Sequence, residues 1–330
     1  MTTHQNPPLP QPPFYTIPNI NNLRDPALFP GGLPIGADKK VRPNILFRSA
    51  EVSKLDRGGW KAVKALGVAH VFDLRSKPEE APGKDGEEDV RAGWIEDMAA
   101  EGVERSWVPV FEDSDYSPDR LAERYMKYMD ESIEGFAMAY KDILQHAHAS
   151  FRPILLYLAS LPEPDPRSEA GAGVGALVHC TAGKDRTGIF FGVLFDFLGV
   201  ERDVIAEEFN LTELGLRHIR DGVVGRLMQS PGLKMYMLSK ASGKEIGSEE
   251  LEEVLKKGGD GIGEQEIPPE ILEQGRQAGM RMVGARKESM LRALEMVDEE
   301  WGGSEKYIRS VLGLGDEHLD KLRRTLVVPA

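Results

Sequence analysis

The fold of this chain is decided by one stretch, Ala176-Leu177-Val178-His179-Cys180-Thr181-Ala182-Gly183-Lys184-Asp185-Arg186-Thr187-Gly188. Its first residues are small or branched and apolar, which indicates a buried strand ending at His179. The residues that follow, 189–198, are strongly apolar and indicate a helix that begins near Asp185 to Gly188. A strand, a short loop and the N-terminus of a helix therefore meet at Cys180, and short β segments elsewhere predict an α/β fold.

Cys180 is the only cysteine among 330 residues, and Arg186 follows it by six positions. A cysteine attacks phosphorus only as the thiolate, which requires an electropositive, partly exposed setting. Loop N–H groups and a helix N-terminus supply this setting and bind a phosphate dianion. Arg186 adds a planar guanidinium that can grip two phosphate oxygens, and Gly183 lets the backbone turn where a side chain would block the anion. The predicted phosphate-binding residues are Thr181, Ala182, Gly183, Lys184, Asp185 and Arg186.

A simpler interpretation is a buried, inert cysteine at the end of a strand, since free cysteine is among the most buried residue types. That interpretation leaves the neighbouring histidine, glycine, arginine and threonine without a role. The bare spacing of Cys180 and Arg186 is weak on its own, but the complete stretch matches the strand, loop and helix that the chemistry requires. The sequence therefore favours a nucleophilic Cys180.

The stretch resembles the phosphate-binding loop of cysteine-dependent protein tyrosine phosphatases. Its Gly-Lys-Asp-Arg-Thr-Gly form is similar to the branch with an HCxxGKDRTG loop, which is found as secreted bacterial phosphatases and as many fungal proteins. Members of that branch resemble dual-specificity and lipid phosphatases in activity, and several act on phosphoinositides as well as on phosphotyrosine. The resemblance implies a cysteine-phosphatase fold: a central, mostly parallel sheet flanked by helices, with helical lid insertions.

The resemblance covers most of residues 14–330. It continues in four further segments: Asn22-Leu23-Arg24-Asp25 with Gly31-Gly32, Val41 to Ala50, Ala65 to Ser76, and Asp298 to Leu312. The first and second segments together look like the family's opening hairpin. The third looks like a helix-strand step that ends in Asp-Leu-Arg-Ser, and the fourth resembles the family's closing helices. By the same resemblance, helices around Glu207 to Met228 and Leu233 to Met237 are expected to form a lid.

The implied mechanism has two displacements and needs no metal or other cofactor. Cys180 attacks phosphorus to form a cysteinyl-phosphate, loop amides and Arg186 stabilise the phosphate oxygens, and water then hydrolyses the intermediate. His179 is expected to orient the loop and support the thiolate, and Thr187 to hydrogen-bond the sulfur or help it leave. The supporting residues implied by the resemblance are His179, Thr187, Arg48, Asp73 and Arg75.

The acid that protonates the leaving oxygen stays open at this stage. Many tyrosine phosphatases use the aspartate of a Trp-Pro-Asp loop, and this tripeptide does not occur here. With Pro109 as the anchor, the family's acid falls at Glu112 or Asp113. Asp185 is the alternative, and it could instead organise the loop.

Composition limits the function classes further. The formal net charge of −13 argues against non-specific nucleic-acid binding and against attachment to anionic membranes. A phosphatase with this charge must focus positive potential locally, and Arg48, Arg75, Lys184 and Arg186 are the candidates. No apolar run has transmembrane length, and residues 1–15 are Pro-rich and polar, unlike a signal peptide. A single cysteine fits a reducing compartment, so we expect the protein in the cytoplasm, with the nucleus as the alternative. We also expect it to be a monomer.

The chain is interpreted as one decorated domain, residues 14–330, preceded by an extended and unpacked Pro-rich arm, residues 1–13. Loop insertions are expected near 161–175 and 243–269, and a helical region over 118–150. The predicted partner is a phosphorylated protein, with phosphotyrosine as substrate and phosphoserine or phosphothreonine in addition. Two alternatives are a phosphoinositide or inositol-polyphosphate phosphatase, and a phosphate-binding pseudophosphatase without turnover.

Overall fold

The computed structural model describes residues 7–77, 90–112, 117–130, 132–164, 173–243, 252–253, 256 and 268–330. The strands are β1 (Pro34–Ile35), β2 (Lys39–Val41), β3 (Leu46–Ser49), β4 (Val68–Asp73), β5 (Glu104–Trp107), β6 (Gly175–His179) and β7 (Val327–Pro329). The helices in the first half are α1 (Arg57–Ala65), α2 (Trp94–Ala100), α3 (Pro118–Met129), α4 (Ile133–His146) and α5 (His148–Ser160). Those in the second half are α6 (Asp185–Leu198), α7 (Arg202–Asn210), α8 (Thr212–Leu216), α9 (Arg220–Gln229), α10 (Pro231–Ser242), α11 (Pro269–Val283), α12 (Lys287–Trp301), α13 (Ser304–Ser310) and α14 (Asp316–Leu326).

The central sheet has four strands in the order β3-β6-β4-β5, and all of its pairings are parallel. Every residue of β6 is buried, as expected for a strand covered by helices on both faces. Parallel strands end at the same edge of a sheet, so the carboxyl ends of β6, β4 and β3 bring His179, Asp73 and Ser49 into one row. The predicted α/β architecture with a parallel sheet is confirmed.

Alternate side chains of the sheet point into two apolar layers, as the two-residue period of a strand requires. On β6, Leu177 packs with the layer that contains Trp60 of α1 and Trp94 of α2. Val178 packs with the larger layer that contains Phe190 of α6 and the helices around it. The strand that carries Cys180 is therefore held rigidly from both sides.

A second, antiparallel sheet joins distant parts of the chain. Its order is β1-β2-β7, and Val41 pairs with Val327. The hairpin expected near the start of the chain is thus closed by the last strand.

Several boundaries differ from the sequence expectation. The region 118–150, expected to be helical, is divided between α3, α4 and the start of α5. Pro13 is buried and its carbonyl accepts a hydrogen bond from the Asp25 N–H at 3.1 Å, so packing begins one residue before the predicted domain start. Residues 165–172 and most of 244–267, where the two insertions are expected, lie outside the described residues.

Candidate active site

Cys180 follows the last residue of β6, and the loop 180–184 leads directly into α6. The cysteine is 2% exposed and forms no disulfide. Its loop wraps the N-terminus of a helix of 14 residues, where backbone N–H groups and the helix dipole favour an anion. The predicted strand, loop and helix are therefore present at the predicted residues.

Gly183 is required by the path of the loop. Its φ of +62° lies in the left-handed region, and a Cβ at this position would be 2.1 Å from the Ser49 carbonyl oxygen. A side chain here would push the loop away from β3. The local turn of the loop thus depends on the absence of a side chain.

Arg186 lies at the rim of the loop, on the first turn of α6. Its Nη2 donates to Thr181 Oγ1 at 3.3 Å, and its Nη1 is 3.4 Å from the carbonyl oxygen of Leu74, just after β4. Thr181 is exposed and Arg186 is half-buried. This places the guanidinium beside Thr181 of the loop, where it can reach the oxygens of a bound phosphate.

Lys184 and Asp185 form a compact cluster with two neighbouring helices. Lys184 is 3% exposed, and its Nζ donates to the Met282 carbonyl of α11 and lies 3.3 Å from Asp185 Oδ1. The same carboxylate oxygen accepts a hydrogen bond from the Tyr140 hydroxyl of α4 at 3.1 Å. Lys184 therefore connects the loop to α11, and Asp185 acts as a hydrogen-bond acceptor.

His179 and Asp73 occupy the row at the end of the sheet. His179 Nδ1 is 3.2 Å from the Cys180 carbonyl oxygen, which can only accept, so Nδ1 carries the proton of the neutral ring. Its Nε2 lies 3.6 Å from Asp73 Oδ1 without forming a hydrogen bond to a described residue. Burial lowers the pKa of His179 to about 4, although Asp73 opposes the shift.

Asp73 is held ionised by its neighbours. Arg75 binds both of its oxygens, at 3.0 and 2.9 Å, and Arg105 Nη2 donates to Oδ2 at 2.8 Å. Burial alone would raise the pKa of Asp73, but His179 and these two guanidinium groups lower it well below its usual range. Arg75 is 2% exposed, so its charge is used within this cluster.

Thr187 differs from its expected role. It is fully buried, and its hydroxyl makes no hydrogen bond to any residue that the structure describes. The predicted bond to the sulfur is therefore not formed in this conformation.

Arg48 lies behind the loop instead of facing the phosphate. Its Nη2 donates to the Gly183 carbonyl at 2.9 Å, and its Nη1 donates to Glu208 Oε2 of α7 at 2.7 Å. Asn22 Nδ2 also reaches this side of the loop, at 3.2 Å from the Ala182 carbonyl oxygen. No pattern in the sequence marks Glu208 as part of the site. Asn22 could have been found, because it belongs to the Asn-Leu-Arg-Asp segment that resembles the family.

The candidate acids are placed differently. Glu112 is exposed near the carboxyl end of the sheet, and Asp113 lies outside the described residues. Asp185 is present at the site, where Tyr140 and Lys184 bind its carboxylate.

A cavity of about 240 Å³ opens beside the loop. Its floor is formed by Ala182, Lys184 and Asp185, and its walls come from α3, α8, α9 and α11. The apolar wall residues are Leu216, Ile219, Val223, Leu227, Met282 and Val283. Glu213 and Arg220, the charged wall residues, form an ion pair with each other. The cavity is thus a largely apolar space that adjoins the predicted phosphate site.

Comparison with known proteins agrees with this geometry. The profile described as "Tyrosine phosphatase family" matches residues 15–328, which includes the sheet, the loop and the helices around the cavity. The chain belongs to the tyrosine phosphatase family. This membership confirms the family that the loop sequence indicated.

Two relatives illustrate the similarity within the tyrosine phosphatase family. The chain is 24% identical over 304 residues to the "Triple specificity protein phosphatase PtpB" of Mycobacterium tuberculosis, which covers 87% of this chain and 92% of that protein. It is 28% identical over 173 residues to a "Tyrosine-protein phosphatase" of Nostoc commune, which covers 52% of this chain and 49% of that protein. The first alignment spans nearly the whole catalytic architecture.

None of the described helices has the length and apolar character needed to cross a membrane. Within the same residues, no group of three or more histidine, cysteine or carboxylate side chains is arranged to hold a metal ion.

Proposed function

We propose that this protein is a cysteine-dependent phosphatase that hydrolyses phosphotyrosine, and also phosphoserine or phosphothreonine, in phosphorylated proteins. The observation that carries the proposal is the placement of Cys180 at the end of β6, with its loop around the N-terminus of α6 and Arg186 at the rim. The names of the relatives, which specify tyrosine or triple specificity, agree with this substrate class.

The reaction proceeds through a covalent intermediate. The Cys180 thiolate attacks phosphorus, the bond to the leaving oxygen breaks, and the loop amides together with Arg186 stabilise the phosphate oxygens. Water then attacks the cysteinyl-phosphate and releases phosphate and the thiolate. A pseudophosphatase would need the phosphate-binding loop but not the nucleophile, so the presence of both Cys180 and Arg186 favours turnover.

The leaving oxygen receives a proton from a carboxylic acid. Asp185 already accepts a hydrogen bond from Tyr140 and forms an ion pair with Lys184, which suits a carboxylate that organises the loop. This favours Glu112 or Asp113 as the acid, with Asp185 as the alternative.

The cavity beside the loop favours phosphotyrosine over a phosphoinositide. A second phosphate on an inositol ring would require an available cation, but Lys184 is bound to Met282 and Asp185, and Arg220 is paired with Glu213. The walls are mostly apolar, which suits an aromatic ring or an apolar residue next to it.

Further parts of the proposal concern organisation and location. Residues 14–330 form one catalytic domain that carries the expected insertions, and the helices around the cavity serve as its lid. We place the protein in the cytoplasm, with the nucleus as the alternative, because a single cysteine thiolate persists best in a reducing compartment.

The first test is hydrolysis of p-nitrophenyl phosphate in the presence of EDTA. We expect turnover by the wild type, none by Cys180→Ser, and a loss of about 100-fold or more in kcat for Arg186→Lys, which keeps the charge but loses the planar fork. Circular dichroism and thermal melting show whether each variant is folded. Full activity of Cys180→Ser, or an inactive but folded wild type, would contradict the proposal.

The second test separates the substrate classes. Phosphotyrosine peptides, phosphoserine peptides and phosphoinositides are compared at matched concentrations with the same wild-type preparation. The proposal predicts the highest kcat/KM for phosphotyrosine peptides. A higher value for phosphoinositides would establish the alternative substrate class.

A further inference from the structure

A phosphate site needs local positive charge. The chain has a formal net charge of −13, and a phosphate dianion and a thiolate must approach each other at Cys180. In the loop itself, Asp185 lies 3.3 Å from Lys184 and compensates its charge. On the other side, Arg75 and Arg105 share the carboxylate of Asp73.

A buried group of three charges lies directly behind the loop. Arg24 Nε is 2.6 Å from Glu208 Oε1, and Arg48 Nη1 is 2.7 Å from Glu208 Oε2. All three side chains are at most 2% exposed. Two cations share one anion, so these three side chains together carry a net positive charge that solvent cannot screen effectively. Asp25, which lies near Glu208, offsets part of this charge where it is ionised.

The charges are retained at neutral pH. Burial lowers the pKa of Arg24 to about 10, which still leaves it protonated. Burial opposes ionisation of Glu208, but the two arginines lower its pKa below the usual value. A buried ion network of this kind does not by itself favour folding over an apolar replacement of the same shape. Its position behind the loop therefore calls for a further role.

Asn22 and Arg48 fix two carbonyl groups of the loop. Asn22 Nδ2 donates to the carbonyl oxygens of Ala182 and Gly183, at 3.2 and 3.3 Å, and Arg48 Nη2 donates to that of Gly183 at 2.9 Å. In a trans peptide the C=O and the following N–H point in opposite directions. Holding these two carbonyls at the back therefore directs the N–H groups of Gly183 and Lys184 towards the front of the loop.

Arg24 completes the connection. Its Nη1 donates to Asn22 Oδ1, so the Asn22 amide is oriented with its Nδ2 towards the loop. Its Nη2 donates to Thr212 Oγ1 at 3.0 Å, and Thr212 also lines the cavity. Through Asn22 and Thr212, Arg24 thus connects the segment around residue 22 with the loop and with α8.

We propose that Asn22, Arg24, Arg48 and Glu208 are positioning residues of the phosphate site: they direct the loop amides forward and supply buried positive charge that attracts the anionic substrate. The proposal rests on the proposed function only in assuming that the loop binds phosphate. It assigns a role to side chains that never contact the substrate.

The charge is tested by alkylation, because Cys180 is the only cysteine and no turnover is needed. We measure the rate at which Cys180 is alkylated by anionic iodoacetate and the rate at which it is alkylated by neutral iodoacetamide. The first rate divided by the second is a measure of the electrostatic potential at the sulfur. Arg48→Gln removes a cation and should lower the ratio on the order of fivefold, whereas Glu208→Gln removes the anion and should raise it. If these residues had only a structural role, the ratio would not change in opposite directions in the two variants.

The control is Arg202→Gln. Arg202 bridges Asp196 and Asp298, each at 2.7 Å, away from the loop, so its loss tests the general cost of breaking an arginine pair. We expect the ratio to stay at its wild-type value. Ratios that fall together in Arg48→Gln and Glu208→Gln, or do not change in either, would overturn the role of the buried charge.

The positioning is tested with Asn22→Gly, since Asn22 has a φ of +58° that glycine adopts without strain. Inorganic phosphate should protect Cys180 from iodoacetamide, and the variant should need about fivefold to tenfold more phosphate for the same protection. Asn19→Gly is the matched control, because Asn19 is exposed and has a similar φ of +65°.

The outcomes separate this inference from the proposed function. Equal protection of wild type and Asn22→Gly, or no protection of the wild type, would overturn the positioning. A wild type that phosphate protects but that hydrolyses no phosphomonoester would reject the proposed turnover and leave the positioning intact.

Discussion

At the scale of single residues, the site combines reactive groups with buried groups that keep one protonation state. His179 is buried as a neutral imidazole at the end of β6, with its Nδ1–H directed to the carbonyl of Cys180. A charged imidazole would gain from Asp73 at 3.6 Å, but the cost of burial is larger and its pKa falls to about 4. The histidine therefore shapes the loop as a neutral hydrogen-bond donor.

This predicts a defined pH dependence for His179→Asn, which retains a donor near the Cys180 carbonyl. Between about pH 4 and 6.5 the unfolded wild type binds a proton that the folded wild type does not, so the wild type loses stability as the pH falls through this range. The variant lacks this loss. At low pH, the free energy of unfolding of the wild type has therefore fallen by about 3 kcal/mol relative to that of the variant.

The measurement is urea unfolding of both proteins from pH 4 to pH 8. Burial raises the pKa of Asp25 to about 7 and gives an opposite slope in the same range, but this contribution is common to both proteins and cancels in the difference. Parallel stability curves for the two proteins would show that His179 does not titrate in this way.

At the scale of elements, the site forms where one strand-loop-helix unit meets helices from the second half of the chain. The loop before α6 provides the floor of the cavity, and α8, α9 and α11 provide its apolar walls. The bond from Lys184 to Met282 ties the end of α11 to the loop. Substrate selection is thus expected to depend on these helices, while the chemistry depends on the loop.

Val223 of α9 tests this division, because it lines the cavity and is only half-buried. Val223→Asp places a carboxylate in the apolar wall, where it opposes both an aromatic ring and a phosphate. We expect KM for a phosphotyrosine peptide to rise about tenfold with little change in kcat. Leu214→Asp is the control, since Leu214 is 36% exposed on α8 and does not line the cavity. Equal effects of the two substitutions on KM would argue against binding in this cavity.

At the scale of the whole molecule, the two largest apolar layers of the described residues meet across the central parallel sheet. Trp60 and Trp94 belong to one layer, and Trp301 packs at the edge of the other. The pairing of Val41 with Val327 joins the two ends of the described chain. We therefore expect the chain to unfold as one cooperative domain.

This expectation is checked by thermal or urea unfolding followed with tryptophan fluorescence and with far-ultraviolet circular dichroism. A single domain gives coincident transitions from the two probes, and vanadate, as a ligand of the native site, raises both midpoints together. Two separate transitions, or a shift by vanadate in only one of them, would instead divide the chain into two folding units.

The sequence by itself determined the parts of the site that are close together along the chain. Cys180, Gly183 and Arg186 lie within one turn-sized segment between an apolar strand and an apolar helix, so local patterning predicts both their structure and their chemistry. The same patterning predicted an α/β core, because each buried strand and amphipathic helix carries its own periodicity. The parallel sheet was implied by the resemblance to the tyrosine phosphatases. It located most helices but not their breaks, which depend on caps and on packing.

Only the tertiary structure decided which distant residues support the loop. Arg24 and Glu208 are 184 positions apart, and Tyr140 reaches Asp185 across 45 positions. No local pattern marks Glu208, because a lone glutamate on a helix usually faces solvent and becomes distinctive only when two buried arginines meet it. The direction of Lys184, away from the expected phosphate and towards α11, likewise follows from packing between helices that the sequence separates by almost 100 residues.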